Sequence, residues 1–384
     1  MTVDRLLPTD EAHELIALTR DIADKALAPI VDEYERSETY PAQAFATLGE
    51  AGLLSLPYPE EWGGGGQPYE VYLQVLEEIA ARWAAVAVAV SVHSLACHPL
   101  MAFGTDAQKQ RWLPDMLSGT TIGAYSLSEP QAGSDAGALR CQATAVDGGY
   151  RINGTKAWIT HGGVADFYNL FARTAEGSKG ISCFLVPSDT EGLSFGKPED
   201  KMGLAAVPTT SAFYDDAVIP GERRIGAEGQ GLAIAFSALD SGRLGIAAVA
   251  VGIAQAALDE AAAYANERTA FGTTIIEHQG LAFLLADMAA AVDSARATYL
   301  DAARRRDAGL PYSRQAATAK LIATDAAMKV TTDAVQVFGG YGYTRDFRVE
   351  RLMREAKITQ IFEGTNQIQR LVISRTLVSR PVGR

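Results

Sequence analysis

The sequence predicts an α+β multidomain protein: an N-terminal α-helical domain over residues 1–119, a central β-barrel-like domain over 120–231, and a C-terminal antiparallel four-helix bundle over 232–384. Three observations predict it. With 384 residues the chain is too long for one ordinary hydrophobic core. Its hydrophobic period changes twice, from helical spacing to alternation and back. Alanine, the strongest helix former, carries much of the apolar share, and the final third holds helical runs far longer than an average helix.

Each element follows from local pattern. From Pro8 to about Gly119, Leu15, Ile16, Leu18, Ile22 and Ala26 form one helical stripe, and Val71, Leu73, Val75, Leu76 and Ile79 belong to a second. Turn clusters at Pro57-Tyr-Pro and Gly63 to Gly66 separate these helices. The four glycines read as a flexible turn, not a phosphate cradle. From about Thr120 to Gly231 short strands take over. Arg140-Cys-Gln-Ala-Thr-Ala-Val alternates, Asp147-Gly-Gly offers a hairpin turn, and Tyr150-Arg-Ile leads to a second turn at Asn153-Gly. Residues 167–172, 181–186 and 211–214 continue the theme. From Gly231 the helical period returns over 232–266, 277–307, 313–338 and 366–377, joined by short Gly/Pro-containing loops that suit an antiparallel bundle.

Composition narrows the function. Apolar residues are 48% and charged residues 21%, the balance of a soluble globular protein. A net charge of −12, spread along the chain, opposes nucleic acid and anionic membranes as partners but not a small anionic ligand. The first residues lack the features of a secretory signal or a transit peptide. The apolar stretch around Trp83 to Leu95, interrupted by Ser91, His93 and Ser94, reads as too short to span a bilayer. Cys97, Cys141 and Cys183 lie far apart without CxxC spacing, so they read as reduced thiols of a cytoplasmic protein and not as a zinc or disulfide framework.

Five loops carry the chemistry: Leu127-Ser-Glu-Pro-Gln-Ala-Gly-Ser-Asp, Trp158-Ile-Thr-His-Gly-Gly, Arg268-Thr-Ala-Phe-Gly, Gln336-Val-Phe-Gly-Gly-Tyr-Gly and Ile361-Phe-Glu-Gly-Thr-Asn-Gln-Ile-Gln. Taken singly, each has an ordinary structural reading. The first is a Gly/Ser/Pro linker, although its small residues also let backbone approach a flat ring and its hydroxyls can bond a polar edge. Trp158 alone would be core, Arg268 a helix-end cation, and Glu363 an acid capping the final helix. No GxGxxG follows a strand, so the chain is not a Rossmann protein.

Together and in this order, the five segments resemble the acyl-CoA dehydrogenase family, over essentially the whole chain. The resemblance implies that family's three-domain fold, an FAD cofactor, and α,β-desaturation of an acyl-CoA to the trans-2-enoyl-CoA. Electrons would pass to an electron-transferring flavoprotein, and the pattern lies nearest the short-chain and branched-short-chain members. Carried over residue by residue, Tyr125, Leu127 and Ser128 become flavin contacts, and Ser134 falls at the CoA portion of the substrate. Trp158 lies against the flavin with Thr160 in reach of N5, where donors favour the reduced, anionic ring. His161 replaces the family's usual Asn and is expected to face solvent. Arg268, Phe271 and Gln279 match residues that reach the FAD of a neighbouring subunit, the arginine on its pyrophosphate. Gln336, Val337, Gly339 and Gly340 fall near the adenosine half. The cofactor site therefore needs a dimer, and the family's dimer of dimers implies a homotetramer.

Desaturation needs a positioned carboxylate to take the weakly acidic α-proton while the β-hydrogen leaves as hydride. Glu363 matches the family's base, with Thr365 and Gln367 on the flavin side and Gly364 on the substrate side. Excluding water around that carboxylate raises its pKa toward the working pH. The base's own N–H and the FAD ribityl hydroxyl stabilise the developing enolate in the family. Some members carry the base on the first long bundle helix instead; here that position is Gly242, in Leu239-Asp-Ser-Gly-Arg. Arg243 matches a substrate-site residue, its plain alternative being an ion pair, and Asp240 is placed with it. Val207 stands where a serine often meets the CoA 3′-phosphate, with Thr209 or Thr210 as substitutes, which leaves another thioester carrier open. An oxidase on the same fold is the other alternative, to be told apart by dioxygen use. A non-catalytic homologue would have lost the base or the flavin loops, and none is lost.

Overall fold

Helical period and alternation resolve into separate layers. The structure, a computed structural model, describes residues 3–378. It opens with α1 (Asp10–Ile22), α2 (Val31–Ser37), α3 (Ala42–Glu50), α4 (Tyr69–Ala80), α5 (Ala84–Phe103) and α6 (Asp106–Leu117). Thr9 caps α1 by accepting the Ala12 N–H, and Thr105 and Gln108 form a reciprocal capping box on α6. Ile16 of the α1 stripe is buried, but Leu18 turns outward. In α4 every residue from Val71 to Ala80 is buried, acids included. Glu77 accepts from Arg5 (2.9 Å) and Arg296 (3.0 Å), and Glu78 from Arg5 (2.9 Å) and Arg20 (2.7 Å), which makes their burial tolerable.

Two expectations change here. The apolar stretch beginning at Trp83 does not stop near Leu95; α5 runs on to Phe103. By length and composition, α5 and α7 (Gly231–Glu267) could each cross a membrane, but 78% and 72% of their most apolar windows are buried inside the protein. Their apolarity serves the core. The Gly63–Gly66 turn is not slack either. Gly64, Gly65 and Gly66 donate their N–H groups to the carbonyls of Pro59, Ser55 and Tyr58, so those donors are already engaged.

The central strands are β1 (Gly123–Ser126), β2 (Gln142–Val146), β3 (Gly149–Thr160), β4 (Phe167–Arg173), β5 (Ile181–Pro187), β6 (Leu193–Phe195), β7 (Thr209–Pro220) and β8 (Arg224–Ile225). Their order is β6-β7-β3-β2-β4-β5-β8, with β1 parallel to β4. The two arms join at one pairing, Gln142 with Arg173, and a shared core including Ile152, Tyr168, Phe184 and Ile219 fills the space between them. Asn153-Gly is not a turn. β3 continues through it with a register shift, and Gly154, at φ 152°, takes a position where a Cβ would meet the Cys141 Cα at 2.7 Å.

The C-terminal bundle comprises α7, α8 (Gln279–Asp307), α9 (Ser313–Phe338), α10 (Val349–Thr359) and α11 (Asn366–Arg375). α9 packs on all four others, presenting Ala316, Ala319, Ala323 and Ala327, whose small side chains let the helices approach. α10 has no counterpart among the helices that the sequence predicts. Its buried Val349, Leu352 and Ala356 recur at helical spacing, so the signal is present. A two-residue hairpin, β9 (Thr269–Ala270) with β10 (Thr273–Thr274), carries Phe271 at its tip.

Candidate active site

A bulge builds a shelf on the sheet. Lys156 pairs with Ala212 and Ile159 with Thr210, so Ala157 and Trp158 together face the single residue Ser211. Trp158 consequently adopts φ 62° and holds its indole outward, 65% exposed. The loop after β1 is fastened to this bulge. Lys156 Nζ donates to the Leu127 carbonyl (2.9 Å) and to Glu129 (2.8 Å), and the Ala157 N–H donates to the Ser128 carbonyl (2.9 Å). Glu129 also accepts from the Arg140 and Cys141 N–H groups. Leu127, Ser128, Trp158 and the half-buried Thr160 are thereby held in one region. The sequence singles out neither Lys156 nor Glu129, although a lysine in phase with Tyr150 and Ile152 on β3 is a readable signal; Glu129 lies in the loop after β1, where no periodicity marks it. The expectation for His161 fails. It is fully buried, its Nδ1–H donating to the Gly123 carbonyl (3.0 Å) and its ring meeting Tyr40 and Phe45 edge-on. Burial pushes its pKa down to about 4, so it is neutral at physiological pH.

Glu363 sits on a left-handed backbone (φ 51°) followed by Gly364 (φ 88°). It is not the helix cap: Thr365 caps α11, accepting the Ile368 N–H. Both carboxylate oxygens are buried without a hydrogen-bond partner among the described residues, though the residue as a whole is only half-buried. Burial pushes the carboxyl up to about 7, against the pull of the Lys320 and Arg243 cations. The Glu363 N–H donates to no acceptor among the described residues. The carboxylate lies over Gly242 of α7, where a Cβ would stand 2.2 Å from Oε2. Arg243 binds Asp240 at 2.5 Å, and Asp240 also accepts from Ser313. Beyond Gly242 a cavity of about 10 Å³ is closed by Tyr58, Tyr69, Ser94, Leu95, His98 and Arg306. Tyr125 reaches from β1 toward this region, its hydroxyl donating to the Ala235 carbonyl of α7, and the Glu363 charge is felt at its phenol.

A second group lies at the far end of the bundle. Arg268, Val337, Gly339 and Gly340 line one open cleft of about 480 Å³ with Tyr264 and Tyr341. The Arg268 guanidinium lies 5.8 Å from the Tyr341 ring centroid and makes no ion pair among the described residues. Phe271 is 97% exposed. Gln279 begins α8, and Gln336, near the end of α9, is exposed like it. Ser134 and Gln367 are exposed, and no side-chain contact ties either to the other site residues. Val207 belongs to the helical core, and Thr210 is buried; only Thr209 of that group is partly open. Among the described residues no His, Cys, Asp or Glu cluster could hold a metal ion.

These features suit a flat, polar-edged ring: an outward indole on a bulge, a dry carboxylate lacking partners, and an arginine beside a Gly-Gly loop. Comparison with known proteins agrees. Residues 9–120 match the acyl-CoA dehydrogenase N-terminal domain, 124–217 its middle domain and 229–378 its C-terminal domain. This chain belongs to the acyl-CoA dehydrogenase family, a family of FAD-dependent oxidoreductases. Among its relatives is the short-chain-specific acyl-CoA dehydrogenase of Clostridium acetobutylicum, 44% identical over 95% of this chain and 97% of that one. Butyryl-CoA dehydrogenase from Megasphaera elsdenii superposes with a TM-score of 0.95 at 41% identity, covering 98% of this chain and 100% of that chain. A chain from a study of the electron-transferring flavoprotein of Acidaminococcus fermentans gives 0.96 at 42% identity, with the same coverage.

Proposed function

We propose that the protein desaturates a short-chain or branched-short-chain acyl-CoA between Cα and Cβ, with Glu363 as the base. The observation that carries this reading is the Glu363 carboxylate: dry, lacking a hydrogen-bond partner, and with a pKa near 7. A base so placed keeps its lone pairs for the incoming proton, and its pKa suits proton transfer near neutrality. The α-proton goes to Glu363, the new double bond forms from the electrons left at Cα, and the β-hydrogen departs with its electron pair. FAD supplies the acceptor for that hydride at flavin N5. Trp158, Leu127, Ser128, Thr160 and Tyr125 would hold the flavin ring, with Thr365 and Gln367 beside it. The free Glu363 N–H is available to the thioester oxygen, where negative charge develops. Arg243, Asp240, Gly364 and Ser134 are assigned to the substrate.

The cavity of about 10 Å³ beyond Gly242 leaves room for about one water, which supports a short acyl chain. Arg268, Phe271, Gln279 and the 336–340 loop would serve the FAD of a neighbouring subunit, Arg268 on its pyrophosphate. The exposure of Arg268, Phe271, Gln279, Gln336, Gly339 and Gly340 in one chain supports that assignment and, with it, a homotetramer. An electron-transferring flavoprotein is the proposed acceptor, and a cytoplasmic location rests on three unpaired, buried thiols. The test is anaerobic mixing of the FAD-loaded protein with acyl-CoAs from four carbons upward, branched ones included. Short-chain substrates should bleach the flavin rapidly, and Glu363→Gln should abolish bleaching while retaining FAD. Faster bleaching by long chains would overturn the substrate assignment. Rapid reoxidation by dioxygen would favour an oxidase.

A further inference from the structure

The Glu363 carboxylate faces charged or titratable groups from several elements. These are Arg243 with its partner Asp240 on α7, Lys320 and Asp325 on α9, the Tyr72 phenol of α4 and the Tyr125 phenol of β1. The two cations are not equivalent. Arg243 binds Asp240 at 2.5 Å, which offsets its charge. Asp325 is likewise engaged, by Arg370 (3.1 Å), Gln360 and Asn366. Lys320 is 0% exposed, and among the described residues its Nζ donates only to neutral oxygens: the Gly364 carbonyl at 2.9 Å and Asn366 Oδ1 at 3.0 Å. It touches neither Glu363 oxygen.

From this geometry we infer that Lys320 is a positioning residue for Glu363, fixing the left-handed Glu363-Gly364 backbone while leaving an uncapped positive charge beside the carboxylate. The two effects answer one chemical problem. A base must be ionised to accept a proton, yet a donor bonded to its oxygens would occupy the lone pairs it needs. A cation anchored to the next residue's carbonyl favours the carboxylate through space and leaves both oxygens open. The Gln369 amide, donating to the same Gly364 carbonyl at 2.7 Å, shares the anchoring but brings no charge. Burial pushes the Lys320 ammonium down to about 7 as it pushes Glu363 up, and the attraction between the two opposes both shifts, so each holds the other in its charged form near neutrality.

The inference rests on Glu363 as the base, and the test separates the two. In the FAD-loaded enzyme labelled with ¹³C-glutamate, isotope-edited infrared spectra follow the Glu363 carboxyl, identified by its loss in Glu363→Gln. Lys320→Gln can still donate to the Gly364 carbonyl but carries no charge, and should raise the carboxyl's midpoint by about one pH unit or more. Lys320→Met should do the same. Asn366→Asp sets a negative charge on an intact Lys320 and should also move the midpoint upward. The acid limb of anaerobic flavin reduction by butyryl-CoA should follow each shift. An unchanged midpoint in any folded variant overturns the inference. A shifted midpoint with flavin reduction surviving in Glu363→Gln would instead remove Glu363 as base and leave the electrostatic coupling standing.

Discussion

A Cβ added at Gly242 would stand 2.2 Å from the Glu363 carboxylate oxygen and 3.1 Å from the Leu95 side chain. Gly242→Ala must therefore push the carboxylate aside. A displacement of about 1 Å in a catalytic group costs about a hundredfold in rate, so stopped-flow flavin reduction should fall by that order while FAD content is unchanged. The raised carboxyl predicts a pH profile too: reduction by substrate should increase as pH rises through about 7, since only the ionised base accepts a proton. The stability sign follows. A carboxyl whose folded pKa exceeds its unfolded value stabilises the fold below the unfolded pKa, and that contribution is lost as pH rises through the folded value. Glu363→Gln should therefore raise the melting temperature most at pH 8.5 and progressively less as pH falls toward the ordinary carboxyl value of 4.5, measured calorimetrically. Glu363 was legible because its neighbours Gly364 and Thr365 form a local motif. Lys320 was not, because it approaches through space from another helix. Even so, a lone lysine amid Ala316, Ala319, Ala323 and Ala327 is a polar residue in an apolar stripe. His161 was misjudged for a related reason: its burial comes from Tyr40 and Phe45, far away in sequence.

In the bulge of β3 one buried ion pair ties two loops together. Lys156 and Glu129 are 0% and 2% exposed at the side chain, and removing one partner strands the other's charge. Lys156→Met should cost about 3–5 kcal/mol of stability in denaturant unfolding. The double variant Lys156→Met with Glu129→Leu should be less damaging than the two single changes added together. The loosened loop should also weaken FAD retention, read by dialysis. At this scale the long helices were legible from their apolar period, and the strands from alternation. The exception at Asn153-Gly is instructive. That dipeptide favours a hairpin, but nine of the twelve residues of β3 pair with β7 on both sides of it, and the glycine instead lets Cys141, just before β2, approach closely. Pairing along the strand outweighed local turn preference.

Across the whole molecule, the shelf and base involve β1, β3, α7, α9 and the segment before α11, whereas the Arg268 cleft sits at the Gly-Gly loop after α9. The proposed sharing of the cofactor between copies would give a role to Phe271, which stands almost wholly exposed at a hairpin tip. Arg268→Ala should weaken FAD binding by about tenfold to a hundredfold, the worth of a charge-assisted hydrogen bond. Phe271→Asp should lower both the mass seen by light scattering and the flavin content, whereas a purely monomeric site would leave both alone. No property of one chain's periodicity announces such an arrangement; only the motif order pointed to it.

The outward turn of Trp158 has an optical consequence. Of four tryptophans, Trp83 is sealed in the core with its indole N–H on Glu35, and Trp112 has the guanidinium groups of Arg111 and Arg223 against its ring. Trp62 is partly covered, with Lys109 above its ring, and Trp158 alone among them is mostly open to water. A water-bathed indole emits at longer wavelength than a buried one, and a flat chromophore laid on it drains that emission. The red edge of the protein's intrinsic fluorescence is thus a gauge of that one bulge, readable without labels, and Trp158→Phe should erase it.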